Sequence, residues 1–226
     1  MSHWAVAEML FKTSSDKVCF AFCMGLEAIP QRTRDRYHVE ERRHACAILA
    51  VDCAEELRDI IACLDNFLLL RSEIEVGGGQ KSKIAKRFDN FLAQRGWKEK
   101  KIKVGRRVDG REIDTETHRV DFCKGLVAVE VEWNNKDPFF SRDLNAFRLL
   151  HELGVISVGV IITRRDELQQ IFDGLGAHIG KKYGASTTHW GKLIPRVEAA
   201  GAGSCPLLLI GISAHCYADD APAHPL

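Results

Sequence analysis

Alternating apolar and polar positions run through Leu126–Trp133, where Val127, Val129 and Val131 share one face of a predicted strand and Ala128, Glu130 and Glu132 the other. Lys124-Gly125 reads as a tight turn, so His118–Phe122 is expected to pair antiparallel with this strand and bring Asp121 near Glu130. Elsewhere the period is helical. From Ala47 to Leu68 apolar residues recur every three or four positions, which predicts two helices or one interrupted near Val51–Cys53. Ser82 is a candidate N-cap for a helix burying Ile84, Phe88, Phe91 and Leu92. Ser141 is expected to cap a further helix to about Leu153, with Leu144, Phe147, Leu150 and Leu153 inward and Gly154 as its stop. Val155–Thr163 is nearly all apolar, the pattern of a strand covered on both faces, and Pro206–Ile212 repeats it.

Strand, helix and strand from Leu126 to Thr163 make a βαβ unit, which predicts a parallel pair. The whole reads as an α/β fold: a mixed central β-sheet flanked by helices. Met1–Asp35 shows no chemistry and is set apart as an N-terminal segment, leaving residues 36–226 as a single domain with Ser213–Leu226 as a frayed tail.

Composition narrows the class. The 226 residues are enough for one domain with a substantial core, and 46% hydrophobic against 28% charged is a globular balance. Eight cysteines show no Cys-x-x-Cys pair and no zinc-ligand spacing, so a reducing, cytoplasmic setting is expected rather than a disulfide framework. No apolar run is long enough to span a bilayer, so no membrane role is expected. Gly77-Gly78-Gly79 near Lys81-Ser82 is not a P-loop, because Gln80 stands where that loop needs glycine. Ser186 and His189 lie close in sequence, but no nucleophile elbow surrounds them.

Charge is neutral in sum (+1) but uneven: from Gln80 to Arg111 twelve Lys and Arg residues face only Asp89, Glu99 and Asp109. Such a run is commonly a solvated face; beside an acidic site it suits a polyanion such as DNA. Residues two apart on a strand lie about 7 Å apart on one face. Glu130 and Glu132 therefore project together, Asp121 approaches them, and three converging carboxylates repel unless a cation lies between. Hard oxygen donors of this kind suit Mg²⁺, with Mn²⁺ as a substitute. The alternative is that both glutamates are the solvated face of a half-exposed strand. Ser, Thr, His and Lys in Ile179–Leu193 can donate to phosphates or base edges, or can simply form a surface loop.

With Asp121-Phe122-Cys123-Lys124, eight residues from Asp121 to Glu130, the Glu130-x-Glu132 pair, Gly96-Trp97 and the closing Pro206–Ile212 run in place, the chain resembles the BglII/BstYI-type restriction endonucleases, BamHI-related members of the PD-(D/E)xK nuclease superfamily. It departs from the superfamily pattern at Glu132, where Lys is usual, although relatives carry Glu or Gln there. The resemblance implies a homodimeric type II enzyme that cuts a short palindromic double-stranded DNA site, GATC-centred in several relatives, alongside a cognate DNA methyltransferase. It implies catalytic roles for Asp121, Glu130 and Glu132, metal ligation by Asp121, Glu130 and the Val131 carbonyl, and a base contact at Asn135. Asn134, Lys136, Lys81, Ser186, Thr187, Thr188 and His189 are further candidates for DNA contact. Lys124 is a candidate for charge at the developing oxyanion, and Glu75 for an accessory carboxylate. A superfamily nuclease without sequence specificity, for repair or junction resolution, and an inactive DNA-binding module are the competing readings.

Overall fold

A computed structural model describes residues 25–76, 82–136 and 139–221. Among these the strands are β1 (Tyr37–Arg42), β2 (Leu69–Leu70), β3 (Lys98–Val108), β4 (Arg111–Lys124), β5 (Val127–Glu132), β6 (Val158–Arg164), β7 (Leu207–Ile212) and β8 (Tyr217–Ala218). Six of them build one mixed sheet in the order β1-β7-β6-β5-β4-β3. Its centre, β5, β6 and β7, is parallel, whereas β1, β4 and β3 add antiparallel at the two sides. This is the mixed α/β sheet flanked by helices that the alternation predicts.

The parallel strands are apolar because both of their faces are covered. On one side Val127, Val129 and Val131 join a core with Leu64, Phe88 and Trp97. On the other, Ala128 meets Phe140, Leu144, Phe147 and Trp190. The helix Phe139–Glu152 lies close over β6 because Gly159 carries no side chain: a Cβ there would stand 2.4 Å from Phe147 Cδ2. At the β4–β5 turn Gly125 has φ +50°, and a Cβ would meet Glu56 Oε1 at 2.2 Å.

The interrupted helix resolves into Ala45–Val51 and Ala54–Asn66. Ser82 Oγ accepts from Ala85 N at 3.1 Å and caps Lys83–Ala93. Ser141, in contrast, caps nothing, since its helix already begins at Phe139, and Leu153 lies past the helix end at 51% exposure. Gly154 does end the turn, with φ +68°. The frayed tail is also revised: β8 pairs parallel with β2 and Cys216 is fully buried. From Gly25 onward the N-terminal segment packs into the same core, where Ile29 and Thr33 are buried. Strand β4 is much longer than His118–Phe122, and the cationic stretch after Trp97 is its partner β3. Here the Asp109-Gly110 turn, with both φ positive, sets the hairpin that apolar periodicity did not reveal. No helix among the described residues is long and apolar enough to cross a membrane.

Candidate active site

Strand β5 delivers its two glutamates to the face covered by the helix Phe139–Glu152. Register places Glu130 beside Ile161 and Glu132 beside Thr163 of β6. All six residues of β5 are buried, so the pair is not the wet face of a half-exposed strand; Glu130 is 1% exposed and Glu132 2%. From the helix above, Asp143 points down at 0% exposure. Carboxylate oxygens of Glu130, Glu132 and Asp143 all lie within 4.8 Å of one another.

Asp121 approaches from β4, as the hairpin predicts. Its backbone N donates to Glu130 Oε2 at 3.3 Å, and its Oδ2 accepts from Val131 N at 3.4 Å. Four acidic residues thus meet at the carboxyl end of β5. Asp143 is the one that the sequence reading missed. Its signal was available: it falls with Phe140, Leu144 and Phe147 on the buried stripe of its helix, where an acid is uncommon.

Burial and mutual repulsion dominate the electrostatics. Glu130 is pushed well above the usual carboxylate range, first by burial and then by the charges of Asp143, Asp121 and Glu132. Asp143 rises to about 9 through burial and the adjacent Glu132, only partly opposed by Arg142 at 3.4 Å. It donates a hydrogen bond to Glu132. Burial raises Glu132 too, against the Asn135 Nδ2 bond to its Oε2 at 2.8 Å. The Glu132 carbonyl is held separately by Thr163 Oγ1 at 2.8 Å. Glu130 Oε1 is buried with no hydrogen-bond partner. A buried carboxylate oxygen left bare among other carboxylates fits a divalent cation and its hard oxygen preference.

The polar loop after β5 and the Ser186–His189 segment come together, although more than fifty residues separate them. Lys136 and Thr187 form an isolated antiparallel bridge, and Thr188 N donates to Asn135 O at 2.8 Å. Asn135, Lys136 and Ser186 are exposed, and Asn134 is half-buried. Thr187 and Thr188 are buried, with hydroxyls bonded to the protein rather than facing solvent. His189 pairs with Asp166, and burial lowers its pKa.

Two expectations change. Lys124 does not reach the acidic site, because its ammonium is held by Glu55 at 2.6 Å and Asp59 at 2.8 Å. Glu75 pairs with Arg71 at 2.9 Å and is no part of the carboxylate cluster. Lys81 lies outside the described residues. The cysteines among the described residues are free, and most are buried.

The family model for restriction endonuclease BglII/BglIII matches residues 37–212, a span that begins with β1 and ends with β7. No curated protein matches the chain.

Proposed function

This chain belongs to the BglII/BglIII restriction endonuclease family, and from that premise we propose that it is a Mg²⁺-dependent type II enzyme that hydrolyses phosphodiester bonds within a short palindromic DNA site. The observation that carries the reading is the buried cluster of Glu130, Glu132 and Asp143 with Asp121 across the hairpin. Four converging acids, offset in part by Arg142 beside Asp143, match the need of a phosphodiesterase for a divalent ion at an anionic substrate.

In this reading Asp121, Glu130 and the Val131 carbonyl hold the metal. When bound, Mg²⁺ or Mn²⁺ neutralises charge on the scissile phosphate and lowers the pKa of a coordinated water. Glu132 orients the attacking water and accepts its proton, with Asn135 fixing one carboxylate oxygen. Asp143, hydrogen-bonded to Glu132, keeps that carboxylate in place and closes the site from above. Glu132 stands at the position that Lys fills in many relatives of the superfamily, and Lys124 is bound elsewhere. Asn134, Asn135, Lys136, Ser186 and His189 form the DNA-facing rim, and Lys81 adds charge. A homodimer cutting both strands, cytoplasmic residence, a cognate methyltransferase and a GATC-centred site belong to the same reading.

Digestion of bacteriophage DNA of known sequence in Mg²⁺ tests it. Discrete fragments with one shared end sequence are expected. A smear would move the assignment to a non-specific nuclease, and binding without cutting in Mg²⁺ and Mn²⁺ to an inactive DNA-binding module. Asp121→Ala should abolish cutting and keep specific binding. Asn135→Ala should weaken specific binding more than binding to random duplex; equal loss on both would refute base reading by Asn135.

A further inference from the structure

Beneath the exposed rim lies a set of polar side chains that neither metal nor DNA can touch. Arg164, at the end of β6, is 1% exposed, and among the described residues it makes no ion pair with a carboxylate. Its Nη2 donates to the Tyr183 carbonyl at 2.5 Å and to Thr187 Oγ1 at 3.0 Å. Thr187 Oγ1 in turn donates to the Gly184 carbonyl at 2.9 Å. The neighbouring Thr188, 1% exposed, uses one hydroxyl oxygen to accept from Asn134 N at 3.2 Å and Asn135 N at 3.1 Å.

Such an arrangement is expensive to build. Burial lowers Arg164 to about 10, with the charge of Asp166 opposing the shift only in part, and a buried guanidinium that bonds only to neutral oxygens is costly in a protein interior. Apolar packing anchors the loop at its flanks, Tyr183 and Trp190, while Gly184 and Ala185 between them border a cavity of about 410 Å³ shared with Arg164 and His189. On the other side of the bridge Asn134 has φ +88°, a left-handed backbone that few side-chain-bearing residues adopt. The two bonds to Thr188 hold that residue and the next in place. One residue further, Asn135 bonds the catalytic candidate Glu132. The connection is continuous from β6 through the loop to the acidic site.

We infer that Arg164, Thr187 and Thr188 are positioning residues, a buried polar clamp that fixes Asn134–Lys136 at the rim of the acidic site so that sequence reading and hydrolysis share one register. The inference rests on the proposal that this chain cuts a defined DNA sequence. It assigns to Thr187 and Thr188 a supporting role in place of direct DNA contact, and it brings in Arg164, which no sequence motif singled out.

A pool of randomised duplexes cut by the full chain in Mg²⁺, with product ends sequenced, separates the clamp from general stability. Destabilisation lowers the rate at every sequence alike; loss of positioning changes which sequences are cut. Thr188→Val keeps the shape and removes the acceptor of both the Asn134 and Asn135 amides, and preference for the favoured sequence should fall at least about tenfold. Thr188→Ser should restore the parental preference, and Arg164→Met should relax it as Thr188→Val does. An unchanged preference in Thr188→Val, at whatever rate, overturns the clamp while leaving the enzyme assignment intact. Parental products with no preferred end overturn the assignment and the clamp together. Should Thr188→Val not fold, amide exchange of the parental chain decides. The Asn135 amide should be protected at least about a hundredfold relative to a free peptide, and exchange at the free-peptide rate overturns the clamp.

Discussion

Two acidic clusters lie at opposite ends of the β4–β5 hairpin. At the turn, Glu55 and Asp59 face Lys124, and Asp59 also accepts from Trp97 Nε1 at 3.0 Å, with Arg95 at 3.8 Å. Every charge there has a built-in counterpart. At the open end, Glu130, Glu132 and Asp143 share a space no wider than 4.8 Å, and Arg142 stands 3.4 Å from Asp143. The first cluster needs nothing from outside; in the second, burial and repulsion favour keeping protons that carboxyl groups normally release at neutral pH. Composition is similar in the two places. What separates them is how fully the fold offsets the acids, and that separates a structural ion pair from a candidate catalytic centre.

Removing one acid at the open end should break the comparison most sharply. Glu130→Gln should lower cleavage by about 10²–10³-fold, yet raise the melting temperature of the metal-free chain by roughly 2–4 °C, as about 1 kcal/mol of repulsion is relieved. Parental cutting, or a less stable metal-free variant, would contradict it. Asp59→Ala should do the reverse: about 2–3 kcal/mol less stable by chemical denaturation, since Lys124 and Trp97 lose a half-buried partner, with cleavage near parental wherever the chain remains folded. If this variant stopped cutting while fully folded, the turn cluster would not be merely structural.

A smaller loss, about 10–100-fold in cleavage, is expected from Asp143→Asn, because the residue supports Glu132 rather than meeting substrate. The smallest effect is a pH-dependent one. Asp143 titrates at about 9 in the folded chain against an ordinary 3.8, so the metal-free folded state holds an extra proton between those values. Its stabilising contribution is full below about pH 4 and is lost as pH rises towards 9. Mg²⁺ competes with that proton, so its effect on melting temperature should be larger at pH 8 than at pH 5.5. Equal shifts at both pH values would mean that the cation binds away from this cluster.

Legibility followed the strength of the local signal. β5, with valines on one face and Ala128, Glu130 and Glu132 on the other, was readable because alternation is a property of the strand itself. The same holds for the Gly125 turn and the approach of Asp121 to Glu130, which follow from a two-residue hairpin. β3 and most of β4 were not read, since charged residues crowd out a clear apolar period along them, and their pairing depends on one turn. Asp143 was passed over because helical period alone does not say what a buried acid meets.

By itself, the sequence determined which residues could carry charge into the sheet, on which face of β5, and with which spacing to Asp121, because those relations span a few bonds. Only the tertiary structure decided that Asp143 closes over the glutamates, that Lys124 is used elsewhere, and that Asn135 and Thr188 meet across more than fifty residues. Those contacts depend on how helices and loops pack over the sheet, and packing is set by the sum of many weak long-range contacts that no short segment records.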